Sequence, residues 1–160
     1  MAWTEARKWV ESLDVYGIAE WRLPMERPLN GTAFDFERSE NATTDSGHAP
    51  TTTDGTDGGW RNTSGEPVSE MGHMYYVTLG NDSIYPGLTN SGQFINIQSG
   101  KYWSAIEDIY ISSDVVWIFD FGSYGKGDRG ILNKLDNAYA WPVHDGDVGT
   151  PLISTSPSTE

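Results

Sequence analysis

The side chains of this chain that could carry chemistry are acidic and aromatic. Asp54-Gly55, Asp57-Gly58 and Asp145-Gly146-Asp147 place carboxylates in turn-forming sequence, and calcium takes roughly six to eight oxygens from flexible loops of that kind. Asp54, Asp57, Asp145 and Asp147 are therefore the candidate metal ligands, with calcium the one candidate ion and no other cofactor expected. A D-x-D-x-D-G spacing with a closing Glu is missing, and Asp-Gly is also ordinary turn chemistry. Gly125-Lys126-Gly127-Asp128-Arg129-Gly130 matches G-x-G-x-x-G, which cradles a dinucleotide only when a helix follows its last glycine. The next residues, 131-ILNKLDN-137, are too short for that helix, so a hairpin connection is expected instead. His48, His73 and His144 show no H-x₃-H pairing, and with no cysteine the chain has no thiolate zinc site, iron–sulfur cluster or thiol nucleophile. No G-x-S-x-G elbow occurs. Pairs such as Glu107-Asp108 read as solvated acidic surface, and no catalytic residue is nominated.

The elements that must position these side chains follow from apolar spacing. Ala6, Trp9, Val10 and Leu13 fall at i, i+3, i+4 and i+7 behind Thr4, which predicts a first helix capped by that threonine. Trp21-Arg22-Leu23-Pro24 reads as a short extended segment stopped by proline. Residues 30–67 are dominated by Thr, Ser, Gly, Asp and Asn, with Trp60 the only large apolar side chain between Ser39 and Pro67. They are expected to form a long polar loop. A second helix is predicted over 69–79, with Ser69 as its N-cap, Met71, Met74, Tyr75 and Leu79 on one face, and Gly80 as its stop. The clearest strand is 115–121, in which Trp117, Phe119 and Phe121 alternate on one face. Tyr102-Trp103-Ser104 opens the strand region and 139–143 is a final short strand, put at an edge by Pro142. Helices early and antiparallel strands late predict an α+β fold.

Composition bounds the partners. One hundred and sixty residues suit one domain, here 1–149, with 150–160 a Ser/Thr/Pro-rich tail. Ten Lys+Arg against 23 Asp+Glu give a formal charge of −13, which disfavours nucleic acid and anionic membrane surfaces. No apolar run is long enough to span a bilayer. Seven Trp, eight Tyr and five Phe among 18 Gly describe a loop-rich domain with an aromatic core. Tyr110, Tyr124 and Tyr139, near turns, are the aromatics best placed for exposure. Such side chains suit both sugar stacking and protein hot spots.

Trp3-x-x-Ala6-x-x-Trp9, Trp21-Arg22-Leu23-Pro24, 30-NGTAFDF-36, 69-SEMGHMYYVTLGN-81, 93-QFINIQS-99, Tyr102-Trp103-Ser104, Trp117-x-Phe119-Asp120-Phe121 and 138-AYAWPVHDGDV-148 occur in an order that covers nearly the whole chain. This series resembles a bacterial lectin-like domain family of unknown function. Its members are found in secreted and surface proteins, often ahead of a PEP-CTERM sorting tail, and among the variable proteins of diversity-generating retroelements. The resemblance implies a C-type-lectin-like fold, two helices flanking a small twisted antiparallel sheet with long loops. It also implies an extracellular or cell-surface role in ligand binding, adhesion or display. The E-P-N, Q-P-D and W-N-D calcium motifs of animal C-type lectins are missing. Family members carry a strand before the first helix, whereas this chain opens on the helix.

On that reading the recognition surface lies on loops and turns of the C-terminal half, with Tyr110, Asp114, Tyr124, Lys126 and Asp128 as candidate ligand contacts. The expected partner is a protein or carbohydrate at a surface. Trp21, Arg22, Trp103, Trp117 and Trp141 are assigned to the scaffold, with Arg22 a buried cation paired with a carboxylate. Two alternatives stand beside it: a surface-layer or filament subunit that self-associates by strand complementation at an open sheet edge, and a retroelement-diversified receptor-binding protein.

Overall fold

The computed structural model describes residues 1–48, 61–62, 64–83, 87–107, 112–122 and 127–148. It is an α+β arrangement of two helices and an open, mixed, five-stranded sheet. In chain order the elements are α1 (Trp3–Glu11), β1 (Arg38–Ser39), β2 (Ser46–His48), α2 (Glu70–His73) running into a π-helical turn (Met74–Thr78), β3 (Lys101–Glu107), β4 (Val115–Asp120) and β5 (Asp128–Asn133). The sheet order is β1-β2-β5-β4-β3. All neighbours are antiparallel except β1 and β2, which run parallel, so the expectation of a purely antiparallel sheet is corrected at one end.

Strand alternation sends the central strands' side chains into two cores on opposite faces. Phe119 and Phe121 of β4 and Tyr102 of β3 meet Val68, Met71, Tyr75, Tyr76 and Leu79 from the second helical segment. Val116 and Ile118 of β4 and Trp103 of β3 meet Trp3, Ala6 and Val10 of α1, with Leu23 and Ala138. The sheet is therefore filled between two helical layers, and β4 is buried on both sides.

Both helices depart from the expected detail. α1 starts one residue before Thr4, and its open N-terminus is closed by Glu5, whose carboxylate accepts the Ala2 N–H at 3.2 Å. Its buried stripe is Trp3, Ala6 and Val10, leaving Trp9 exposed. In the second helix Ser69 caps as expected, its Oγ accepting the Gly72 N–H at 2.8 Å. After one turn the ladder widens, and Leu79 N–H reaches the carbonyl of Met74, five residues back. That turn buries Tyr75 and Tyr76 together, their rings edge-on at 4.8 Å. Tyr76 Oη donates to the Gly127 carbonyl at 3.0 Å. Gly127 has φ +77°, and a Cβ there would meet the Tyr75 ring at 2.5 Å, so only glycine fits this approach.

The 125–130 stretch, expected to be a hairpin connection, contains the start of β5. Asp128, Arg129 and Gly130 pair antiparallel with Asp120, Phe119 and Ile118. A strand follows the G-x-G-x-x-G sequence, not a helix, which agrees with the hairpin expectation and removes the dinucleotide geometry. Part of the expected polar loop is likewise ordered as β1 and β2. The final strand expected at 139–143 is reduced to single bridges, Tyr139 to Tyr102 and Val143 to Arg22.

What fastens the polar 26–48 region is the buried cation. Arg129 is 1% exposed, against Glu26 at 2% and Asp45 at 1%. Its Nε lies 2.9 Å from Glu26 Oε2, and its Nη1 donates to Asp45 Oδ1 at 3.2 Å. Nη2 donates to the Arg27 carbonyl at 3.0 Å, and the guanidinium stands 5.3 Å from the centre of the Trp117 ring. Phe34 and Phe36 close over Trp117 at 4.6 and 5.4 Å. Asp45 also accepts the N–H groups of Leu29 and Asp35. Removing the cation strands two carboxylates in the interior, so Arg129→Met should cost about 3–5 kcal/mol in urea unfolding. Adding Glu26→Gln and Asp45→Asn to it should restore part of that loss; an unchanged midpoint for the single variant would refute the assignment.

Two carboxylates share one guanidinium. Burial pushes the Glu26 carboxyl from 4.5 up to about 7, against the pull of Arg129 and the Ser69 hydroxyl, with Glu70 and Asp45 adding to the rise. A carboxyl raised in the folded state binds its proton more tightly there than in the unfolded chain, so its contribution is largest below about 4.5 and is lost as pH rises through about 7. The stability of Glu26→Gln relative to the parent should therefore rise between these limits, read as Tm across a pH series. A difference that stays flat would refute the shift.

Candidate functional site

The sheet does not end in a bare strand at β3. Trp103 N–H donates to the Tyr139 carbonyl at 2.9 Å and Tyr139 N–H to the Lys101 carbonyl at 2.8 Å, a parallel bridge along the outer edge. Ala105 N–H donates to the Pro24 carbonyl at 2.8 Å, and Arg22 and Val143 exchange both backbone bonds. The 22–24 and 139–143 segments thus occupy the edge from within the chain, which bears directly on strand complementation.

The same edge segment forms one wall of a groove of about 390 Å³, whose opposite wall is the 93–98 loop. The floor is Tyr102, which sits 5.0 Å from Phe121 and 5.8 Å from Trp141. Its hydroxyl accepts the Gln98 N–H at 2.7 Å and so ties the loop to β3; burial holds this phenol above its ordinary range. Trp141 stands edge-on to Phe94 at 4.9 Å and is backed by Phe121 at 5.6 Å. Tyr139 lies over the Gly100 backbone, where a Cβ would approach its ring to 2.9 Å. Tyr139 is 47% exposed, Phe94 39% and Ile95 94%. Amides complete the lining through Gln93, Asn96 and Gln98, and none of the lining residues is Asp, Glu, Lys, Arg or His. Both the volume and the mix of apolar wall with a few polar groups suit a small-ligand site.

Of the residues singled out from sequence, Tyr110, Tyr124 and Lys126 lie outside the described residues, as do Asp54 and Asp57. Asp114 is exposed in the turn before β4, its N–H bonded to Ser112 Oγ. Asp128 is not on an open face. Its side chain is 13% exposed, bonded to Arg38 Nη2 at 2.8 Å and 3.4 Å from His48 Nδ1, and burial raises its carboxyl in spite of Arg38. Asp145 and Asp147 are exposed in the last described turn. Asp145 is bonded to Arg22, which holds its carboxyl below the ordinary range. Among the described residues no group of three or more His, Asp or Glu gathers where a metal ion could sit.

The groove-lining loop 93–98 was not among the residues assigned to recognition, although 93-QFINIQS-99 carries part of the family resemblance. The available signal was Phe94, Ile95 and Ile97 just after the Ser91-Gly92 turn, apolar residues with no partner strand. Tyr139 was expected to be exposed and is. Trp141, assigned to the scaffold, both packs against the core around Phe121 and walls the groove.

Arg22 is not the buried cation expected. Its side chain is 28% exposed and makes a two-pronged pair with Glu70, at 2.7 and 2.8 Å, besides bonding Asp145. The Glu70 bonds, weakened by partial burial and reinforced by Asp145, raise its pKa further. Burial works against the Glu70 charge, but Arg22 and the Met25 N–H hold that carboxyl below its ordinary range.

Compared with models of known protein families, with curated proteins and with solved structures, the chain matches none. The fold and the groove together define an α+β domain with an open mixed sheet and an uncharged, aromatic-lined cleft beside its closed edge. No helix among the described residues is long and apolar enough to cross a membrane.

Because Arg22 stays in partial contact with water, Arg22→Ala should cost only about 1–2 kcal/mol. That is well below the loss at Arg129, measured in the same urea titration. An Arg22 loss equal to the Arg129 loss would overturn this ranking.

Proposed function

We propose that this chain is a non-enzymatic, extracellular ligand-binding or adhesion module on a C-type-lectin-like scaffold. The observation that carries the reading is the groove: exposed aromatic side chains held by backbone bonds to a doubly buried sheet. Recognition carried by loops on a rigid frame is the usual division of labour. The scaffold part of the reading draws support from two helices on opposite faces of one sheet and from the early and late segments paired at its edge. The described ion pairs of Arg22, Arg38 and Arg129 tie chain segments together and hold the frame.

The alternative of a filament or surface-layer subunit rested on an open edge for a neighbour's strand. Internal bonding of the β3 edge by Tyr139 and Pro24 favours the self-contained module over it. The retroelement-diversified receptor-binding reading stands as a separate alternative, which substitutions clustered between Tyr102 and Trp141 among clonal relatives would support.

Fluorescently labelled protein should bind a cell surface or extracellular matrix saturably. Phe94→Ala with Ile95→Asp should remove that binding without moving the melting curve, and Tyr16→Ala, on the exposed 15–18 turn, should not. Binding that survives the groove variant and is lost with Tyr16→Ala would sink the assignment of the face.

A further inference from the structure

Resting on the binding-module reading, we propose that the groove between 93–98 and 139–142 takes a neutral saccharide without calcium, one sugar face lying on Tyr139 and hydroxyls meeting the amides of Gln93 and Asn96. Three observations converge on this ligand class. The first is charge. A chain of net charge −13 repels anions at long range, and no lining side chain is a cation that could hold one at close range. No lining carboxylate would receive a cationic ligand either, so an uncharged ligand is the class the site does not penalise.

The second is the chemistry of the polar groups. Primary amides donate and accept at once, and a hydroxyl does the same. A purely apolar ligand would bury the amides of Gln93 and Asn96 without replacing their bonds to water, a loss that grows with each group; the Gln98 amide already donates to the Asn96 carbonyl. A ring with apolar C–H faces and a hydroxyl rim uses both kinds of surface that the groove presents.

The third is rigidity. Tyr139 is fixed on both backbone sides to β3, its ring lies over Gly100, and the facing loop is pinned through Gln98 to the Tyr102 hydroxyl. A flat aromatic face held this way loses little freedom on binding. Among the described residues no carboxylate cluster converges for a metal ion, so recognition runs through stacking and amide bonds instead of cation-bridged hydroxyls.

The test is titration of the full chain, in EDTA, with cellohexaose, xylohexaose and mannohexaose in turn, following tryptophan fluorescence and heat. At least one should bind saturably. Tyr139→Ala should weaken it about tenfold or more, and Tyr139→Phe should stay within about threefold of the parent, because the ring face is kept. Melting curves of both variants should match the parent. No binding of any neutral oligosaccharide up to about 10 mM, weaker than any useful recognition, would overturn the inference. So would tight binding of polygalacturonate or of a proline-rich peptide that Tyr139→Ala removes, an outcome that leaves the module reading standing. Release of new reducing ends from the bound oligosaccharide would overturn the non-enzymatic reading while leaving the ligand class intact.

Discussion

A single guanidinium, that of Arg129, decides where residues 26–48 can sit. Residues 26–48 are short of apolar side chains, with only Leu29, Phe34, Phe36 and Ala42 seen packing against the sheet and its core. They are held because Arg129, projecting from β5 beside Phe119, collects Glu26, the Arg27 carbonyl and Asp45 in a site closed to water. Asp45 passes the constraint on by accepting two backbone N–H groups of the loop before it. Glu26 passes it the other way, accepting the hydroxyl of Ser69, which caps α2. Lysine could not replace this centre, because one ammonium cannot present a planar fork to several acceptors while lying against the Trp117 ring. A buried cluster of this kind adds little net stability over apolar residues of the same size, but it fixes one arrangement among many.

The sheet supplies the second constraint. With β4 buried on both faces, its neighbours must carry apolar side chains on both sides or be covered, and β3 does the first with Tyr102 and Trp103. Its outer edge still exposes backbone groups, which carry a cost if buried unpaired. The 22–24 and 139–143 segments satisfy them, and in doing so bring Tyr139 and Trp141 alongside Tyr102. The groove is thus a by-product of closing the edge: its floor is a core tyrosine and one wall is the segment that completes the sheet.

Which parts were legible in the sequence follows from how local their causes are. The alternation of Trp117, Phe119 and Phe121 and the Ser69 cap are set by neighbours in sequence, and both stand in the structure. The start of α1 was misplaced because a glutamate in the first turn closed it instead of Thr4. The π turn after His73 was hidden because its cause is tertiary: Gly127, from the far end of the chain, lets Tyr75 and Tyr76 both point inward. β5 was hidden because its first residues, 128–130, lie in the glycine-rich stretch read as a hairpin connection, although its partner β4 is the preceding strand. Arg129 was missed because its partners Glu26, Arg27 and Asp45 are distant in sequence, and the buried-cation role went to Arg22, whose aromatic and proline neighbours suggested an interior that the fold leaves partly open. None of the candidate ligand contacts named from sequence lines the groove, and of its lining only Tyr139 was read as an exposed aromatic; the 93–98 wall has no periodic signature and becomes a wall only once the edge is closed.

Trp141 and Tyr139 show how the groove divides its obligations. Trp141 packs against Phe121 and Tyr102 while facing Phe94 across the cleft, so any change there alters core and groove together. Tyr139 touches Tyr102 at 5.3 Å but leaves nearly half its surface to solvent, and its position is set by backbone bonds that do not depend on its side chain. A site of this design can change its outer ring and its 93–98 loop without disturbing the sheet, while the inner ring keeps the wall upright. The uncharged lining within so acidic a chain gives the same division in electrostatic terms: the groove is lined without Asp, Glu, Lys, Arg or His, while Arg22, Arg38 and Arg129 tie segments together. The outer ring of Tyr139 and the exposed Ile95 can therefore vary at little cost to the fold, whereas Tyr102 and Trp141, which line the same groove, are held by the core.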